Sequence, residues 1–330
     1  MKKLYPLKFK PIYKDKIWGG QKIETVMKKD FSPLPNCGEV WVLSGVEENQ
    51  TIIDNGFLAG NELNEVVEIY MGDLVGDKIY QKFGNEFPIL IKFIDANDWL
   101  SIQVHPDDEL AWKRHKSLGK TEMWYILDAE KNAELISGFS KKTDKESYKK
   151  HLKNGTLKTI LNFEKVEKGD VFYMPSGRVH ALGPGVLLAE IQQTSDITYR
   201  IYDWDRIDAA GMMREIHTEL AVDAIDYNVY DNYKTDYKPK LNETVKLVES
   251  PYFTTNLIHL KNAIKKDYSE LDSFVIYTCA EGEFELIVEN EKYEVELGEA
   301  ILIPATIDSV EIFPKPETKI LEVYMILPDN

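Results

Sequence analysis

The sequence predicts a mainly β protein, two jelly-roll β-barrels with a few accessory helices, and three observations carry that prediction. Short runs rich in β-branched, aromatic and aliphatic residues recur along the chain, separated by turn-prone clusters such as Asp95-Ala96-Asn97-Asp98 and Gly183-Pro184-Gly185. Strands and helical patterns do not alternate regularly, which argues against a doubly wound parallel sheet and for a sandwich or jelly roll. A motif also repeats: Gly169-Asp170-Val171-Phe172-Tyr173-Met174-Pro175 and Gly298-Glu299-Ala300-Ile301-Leu302-Ile303-Pro304 both read G-x5-P. Each copy is a glycine turn, a short strand, and a proline that ends it.

In chain order, the first helical pattern covers residues 61–74. Strands are expected at 87–95, 99–105 and 122–127, then a helix at 144–152 and strands at 171–174 and 186–192. A further helix is expected at 210–225. The tract 226–240, rich in Tyr, Asp, Asn and Lys, reads as a connection. Strands at 273–279 and 283–288, on either side of Gly282, lead into the second G-x5-P copy. The expected organisation is residues 1–235 as a catalytic barrel domain with accessory helices and residues 236–330 as a degenerate second barrel.

The net charge of −16 argues against nucleic acid as a partner, because phosphate backbones need a basic face. It leaves room for a small phosphorylated substrate, which one or two Lys or Arg residues can hold in a cleft. The Lys-rich stretch 141–158 reads as a solvated helix with flanking loops. No apolar run is long enough to span a bilayer, and the opening residues lack a signal-peptide core, so no membrane partner is expected. Cys37 and Cys279 lie far apart in dissimilar contexts and read as two reduced thiols of a cytoplasmic protein.

Ser101-Ile102-Gln103-Val104-His105 alternates strictly: Leu100, Ile102 and Val104 share one strand face, and Ser101, Gln103 and His105 the other. Gln103 and His105, two residues apart on one face, form a compact chelating pair. Pro106 ends the strand, and Asp107 can cap a following helical turn. Glu122 heads an apolar strand after Gly119-Lys120-Thr121. His180 closes an extended form of the repeat, G-x5-P-x-G-x2-H, through Gly169, Pro175 and Gly177. In the second copy the matching places hold Thr306 and Ser309, so the histidine is absent there.

The pattern ending at His180 is the second motif of the cupin superfamily, whose histidine binds metal. The segments IQVHPDDE, GKTEMWYI, PSGRVHAL and EIQQTSDITYRIYDWDR, with the early IWGG and GEVW, closely resemble type I mannose-6-phosphate isomerases in their short bacterial form. The resemblance runs from residue 10 to 225, and the C-terminal barrel matches in architecture only. It implies a metal-dependent aldose–ketose isomerase that interconverts mannose 6-phosphate and fructose 6-phosphate. It further implies one zinc ion per chain, with Gln103, His105, Glu122 and His180 as ligands. The family's essential arginine in Y-R-x-x-D matches Arg200, a lysine two before the ligand glutamate matches Lys120, and an aspartate four before the arginine matches Asp196. Longer relatives carry a large helical insertion between the glutamate and histidine motifs that is missing here.

Two imidazoles, a carboxylate and an amide oxygen make a mixed N/O set, harder than a thiolate-rich structural site and suited to a catalytic metal with open positions. Those ligands alone would accept zinc, iron, manganese or cobalt. Arg200 is a candidate to steady an enediolate or a phosphate, and Lys120 and Asp196 are acid/base or hydroxyl-handling candidates. Ser101, Lys120 and Arg200 are candidate substrate contacts. Arg200 has a plainer reading, a salt bridge to Asp196, Asp203 or Asp205. Two rival functions stay open: a cupin iron oxygenase, and a non-catalytic sugar-binding or regulatory bicupin. Oligomeric state leaves no mark in the sequence.

Overall fold

The computed structural model describes residues 2–207 and 211–328. The protein is mainly β, with seven α-helices among the described residues. It falls into two compact units, one made of Tyr13–Glu39 and Ile94–Thr235, the other of residues 1–12, 40–93 and 236–330. The division after residue 235 is thus one boundary among several, and the second unit gathers N-terminal segments around the C-terminal strands.

In the first unit a five-stranded sheet runs in the order Tyr199–Tyr202, Ile102–Val104, His180–Leu182, Glu134–Phe139, Leu161–Lys165. Facing it, Val171–Met174, Glu122–Ala129 and Val186–Gln193 are consecutive neighbours in a second sheet. Neither sheet closes on itself by hydrogen bonding. Strand alternation sorts the side chains between two cores. Ile102, Val104, Ala181, Tyr199 and Ile201 bury outward with Tyr148 of the Lys145–Lys153 helix and Ala221 and Val222 of the Thr218–Ala224 helix. Leu135 and Leu182 bury inward with Trp124, Ile126, Phe172, Met174 and Leu188. Each of the larger aliphatic side chains contributes about 2 kcal/mol relative to exposure.

In the second unit nine strands make one sheet, whose main path is Glu243–Glu249, Thr254–Leu260, Ser309–Tyr324, Val275–Val288, Ala300–Ile303, Leu7–Lys10, Ile52–Ile53. The G-x5-P repeat is structural in both units. Gly169 and Gly298 have φ of 91° and 82°, conformations that disfavour any side chain, and each leads into a four-residue strand.

Four local expectations change. The helix expected at 61–74 is Leu63–Tyr70 only, because Met71 takes φ 51° and Gly76 φ 98°, splitting off two short helices, Gly72–Val75 and Asp77–Phe83. The strands expected at 273–279 and 283–288 are one strand, Val275–Val288, with register shifts around Gly282 that absorb the bend. The helix expected at 210–225 is Thr218–Ala224; residue 210 lies outside the described residues. There the His217 N–H donates to the Arg200 carbonyl at 2.7 Å, tying the preceding segment to a strand end. Finally, pairing begins only at Ile102, so Leu100 packs with the inner core rather than beside Ile102 and Val104.

The glycines of IWGG and GEVW have a packing reason. A Cβ on Gly19 would sit 2.6 Å from the Gly38 nitrogen, and one on Gly20 would sit 2.4 Å from Asp95 Oδ2. That Asp95 oxygen accepts the Lys22 N–H at 2.6 Å. Burial pushes the Asp95 carboxyl up to about 6, against the help of Lys22. A raised folded pKa means no penalty below pH ~4, where both states are protonated, and a penalty that grows until pH ~6, on the order of 3 kcal/mol. Asp95→Asn should therefore stabilise the protein in urea unfolding near neutral pH by about that amount, with the gain vanishing near pH ~4. A difference independent of pH would contradict this reading of Asp95.

Both cysteines are buried and neither forms a disulfide, and burial pushes the Cys37 thiol up to about 11. Among the described residues no helix is long and apolar enough to cross a membrane.

Candidate metal centre

The central row of the site is written across the five-stranded sheet. Arg200 is the cross-strand partner of Gln103, Gln103 of His180, and His180 of Ser137, so all four side chains share one face. His105 follows immediately after the Ile102–Val104 strand and continues the Gln103 side. From the facing sheet comes Glu122, opposite Met174 on one neighbour and Gln192 on the other.

These residues meet. His180 Nε2 lies 3.2 Å from Glu122 Oε1, and His105 Nε2 lies 3.5 Å from Glu122 Oε2. Ligand atoms of His105, Glu122 and His180 all fall within 4.8 Å of one another, and the three residues are buried. The Gln103 amide nitrogen is 3.2 Å from His180 Nε2, while its oxygen lies 3.4 Å from the Ser101 hydroxyl. A half-turn of the amide exchanges the two ends, and the Ser101 hydroxyl can donate or accept either way.

Both imidazoles are aimed from behind. His105 Nδ1 donates to the Ile197 carbonyl at 2.9 Å and His180 Nδ1 to the Arg178 carbonyl at 2.8 Å. Those bonds fix the tautomer that leaves each Nε2 with a lone pair facing the cluster, the backing that metal-binding histidines have. Burial, with the nearby Lys120 and Arg178 cations, pushes His180 down to about 4, outweighing its hydrogen bond to the Arg178 carbonyl. It is a neutral imidazole at physiological pH, as a ligand must be. Its contact with Glu122 is therefore no ion pair.

Around this cluster the sequence reading missed several supports. Trp124, two residues after Glu122 and so on its face, packs edge-on to His180 with centroids 5.3 Å apart. Its indole N–H donates to buried Glu190 at 2.7 Å. A glutamate inside the apolar run Val186–Gln193 was a legible signal. Asp107 caps the Asp108–His115 helix, as expected, by accepting the Leu110 N–H. Asp108 then accepts from the Gly119 N–H at 2.8 Å and from the Gln193 amide at 2.9 Å, while Gln193 accepts the Thr121 N–H at 2.9 Å. This web holds the turn that delivers Lys120 and Glu122. Arg178 is clamped between the rings of Tyr230 and Tyr233 at 4.6 and 4.7 Å. The tract 226–235 is thus bound to the unit, with the Tyr233 hydroxyl donating to the Phe139 carbonyl.

Of the remaining sequence candidates, Lys120 is buried with its Nζ 3.6 Å from Glu122 Oε2, beside the cluster. Ser101 is buried under the Gln103 amide. Arg200 donates from Nη1 to the Glu215 carbonyl at 2.9 Å and forms no salt bridge to a described acid. Asp203 is taken by Arg206 and Arg214, and Asp205 accepts from the Tyr202 hydroxyl. The salt-bridge reading of Arg200 is therefore not what the structure shows. Asp196 is exposed on the turn between Val186–Gln193 and Tyr199–Tyr202, not among the buried ligands.

A mainly β unit with a buried His/Glu cluster beneath a G-x5-P-x-G-x2-H hairpin defines a cupin with a metal-type centre. Comparison with known proteins goes further. Residues 6–163 match the family model for the catalytic domain of type I phosphomannose isomerase, and residues 243–323 match that for the cupin domain of mannose-6-phosphate isomerase. The C-terminal segment is thus tied to the family by sequence as well as architecture. The chain is 36% identical over 308 residues to mannose-6-phosphate isomerase ManA of Bacillus subtilis, covering 91% of this chain and 93% of that protein. It is 34% identical over 299 residues to mannose-6-phosphate isomerase of Streptococcus mutans, covering 89% and 90%. The crystal structure of the mannose 6-phosphate isomerase from Bacillus subtilis superposes with a TM-score of 0.85 at 31% identity, covering 97% of this chain and 99% of that one. The chain belongs to the type I phosphomannose isomerase family and is an isomerase of that family.

Proposed function

We propose that this enzyme interconverts mannose 6-phosphate and fructose 6-phosphate at one metal ion held by Gln103, His105, Glu122 and His180, with zinc as that ion. The observation that carries the reading is the spacing of the donors. A tetrahedral ion with bonds of about 2.0–2.1 Å holds its ligand atoms ~3.3 Å apart. The His180–Glu122 and His105–Glu122 separations are 3.2 and 3.5 Å, and the Gln103 amide nitrogen lies 3.2 Å from His180 Nε2, a place its oxygen takes after a half-turn of the amide. The donor set contains no thiolate, and His105, Glu122 and His180 are buried.

The ion would supply Lewis acidity toward the sugar's carbonyl and hydroxyl oxygens. The chain's own residues do the rest. With the Gln103 amide turned over, its NH2 would donate to the Ser101 hydroxyl and its oxygen would face the cluster. Lys120, buried and next to Glu122, is placed to handle a substrate hydroxyl or a proton as hydrogen moves between C1 and C2. Arg200, on the same sheet face as Gln103, offers a cation to the enediolate or the phosphate. Asp196, being exposed, is set apart from Lys120 as an acid/base candidate; its turn contributes the Ile197 carbonyl that aims His105. Two buried thiols that form no disulfide support a cytoplasmic setting.

A coupled assay that follows fructose 6-phosphate formed from mannose 6-phosphate tests this. Turnover is expected as purified and is expected to vanish on chelation. Activity indifferent to chelators would remove the metal from the reading, and no activity with added zinc would remove the reaction. Oxygen consumption instead would favour the oxygenase.

A further inference from the structure

Two arginines bind one buried carboxylate, Asp203, and a third, Arg200, lies within its field without bonding to it. Arg206 Nη2 donates to Asp203 Oδ1 at 2.6 Å. Arg214 engages both oxygens, with Nε on Oδ2 at 2.7 Å and Nη2 on Oδ1. Arg206 is itself anchored by the Trp99 carbonyl at 2.5 Å and reaches Asp98 at 3.5 Å. Asp203 is 4% exposed, so this is a desolvated and nearly saturated acceptor.

Arg200 is the third cation, and it gets no share. Its backbone is fixed from both sides: its N–H donates to His217 Nδ1 at 3.0 Å and its carbonyl accepts the His217 N–H. Its guanidinium spends one N–H on the Glu215 carbonyl, and its buried Nε has no partner among the described residues. Burial lowers its proton affinity, and repulsion from Arg214 and Arg206 adds to that against the pull of Asp203. A half-buried guanidinium within the field of a carboxylate pairs with it unless that carboxylate is already engaged.

We infer that Arg206 and Arg214 are positioning residues that saturate Asp203 and thereby keep the Arg200 guanidinium available to an incoming anion. The inference rests on the proposed role of Arg200 at the site. Without them Asp203 would capture Arg200, and the site would lose its counter-charge without losing its metal ligands.

The test uses the metal-loaded full chain at 25 °C, with circular dichroism, metal content and melting temperature recorded for each variant. Arg214→Ala should lower kcat/KM at least about tenfold and weaken inhibition by inorganic phosphate, with metal content unchanged. Adding Asp203→Asn to that variant should return kcat/KM to within about threefold of wild type, because no carboxylate remains to capture Arg200. Asp203→Asn alone should also stay within about threefold, even though two arginines lose their partner and the melting temperature falls. That last result separates positioning from scaffolding, since a scaffold role predicts loss of activity together with stability. The inference is overturned if Arg214→Ala keeps wild-type turnover while Arg200→Ala does not, or if Asp203→Asn fails to restore it. If Arg200→Ala itself turns over normally, the reading of Arg200 falls first and takes this inference with it.

Discussion

Glu122→Gln should lower turnover by at least about a thousandfold, a loss of some 4 kcal/mol in transition-state stabilisation. Glu122 is the one carboxylate in the proposed ligand set, and its two oxygens lie 3.2 and 3.5 Å from the two histidines. It also lies 3.6 Å from the Lys120 ammonium. The amide keeps the shape, so the fold should survive, but it removes the charge that offsets both the ion and Lys120. Metal affinity should fall by at least about a hundredfold, seen as metal lost on dialysis. A Glu122→Gln enzyme that keeps its metal and turns over within about tenfold of wild type would show that the carboxylate is not a ligand.

Trp124→Ala should be the most destabilising single truncation near the site, costing about 3–5 kcal/mol in chemical unfolding. The indole is 1% exposed, lies in the inner core with Ile126, Phe172 and Leu188, and braces the His180 ring. Trp124→Phe keeps most of the volume but removes the donor to buried Glu190, so its cost should fall to about 1–3 kcal/mol. The graded pair separates cavity from hydrogen bond. Equal costs for the two substitutions would mean that packing volume matters little there.

How much of this was legible in the chain depends on the range of the interaction that decides each feature. Gln103 and His105 were legible because strand alternation is local, and the structure does put both on the inner side. The same logic failed two residues earlier at Leu100, because alternation holds only where pairing begins, and pairing begins at Ile102. His180 was legible because a Gly turn, a strand of fixed length and a Pro stop are a local device, which the second unit repeats without the histidine. Glu122 was legible only by resemblance. Its place opposite His180 is set by pairing with Val171–Met174 and Val186–Gln193, residues far along the chain. Arg200 shows the limit most sharply. Three acids stood near it in sequence, and it pairs with none of them: Asp203 is taken by Arg206 and Arg214 and Asp205 by the Tyr202 hydroxyl, which spacing does not show. The helix expected at 210–225 failed for a related reason. Residues ahead of Thr218 carry apolar side chains, yet His217 is bonded to the Arg200 strand instead of continuing a helical turn.

The four ligands remain the centre of the account, and metal reconstitution tests them most directly. The chelated protein should be inactive toward mannose 6-phosphate, and activity should return in proportion to added zinc, levelling at one ion per chain, while the Glu122→Gln protein recovers nothing. Full turnover at less than about a tenth of an ion per chain, or recovery that ignores Glu122, would contradict it.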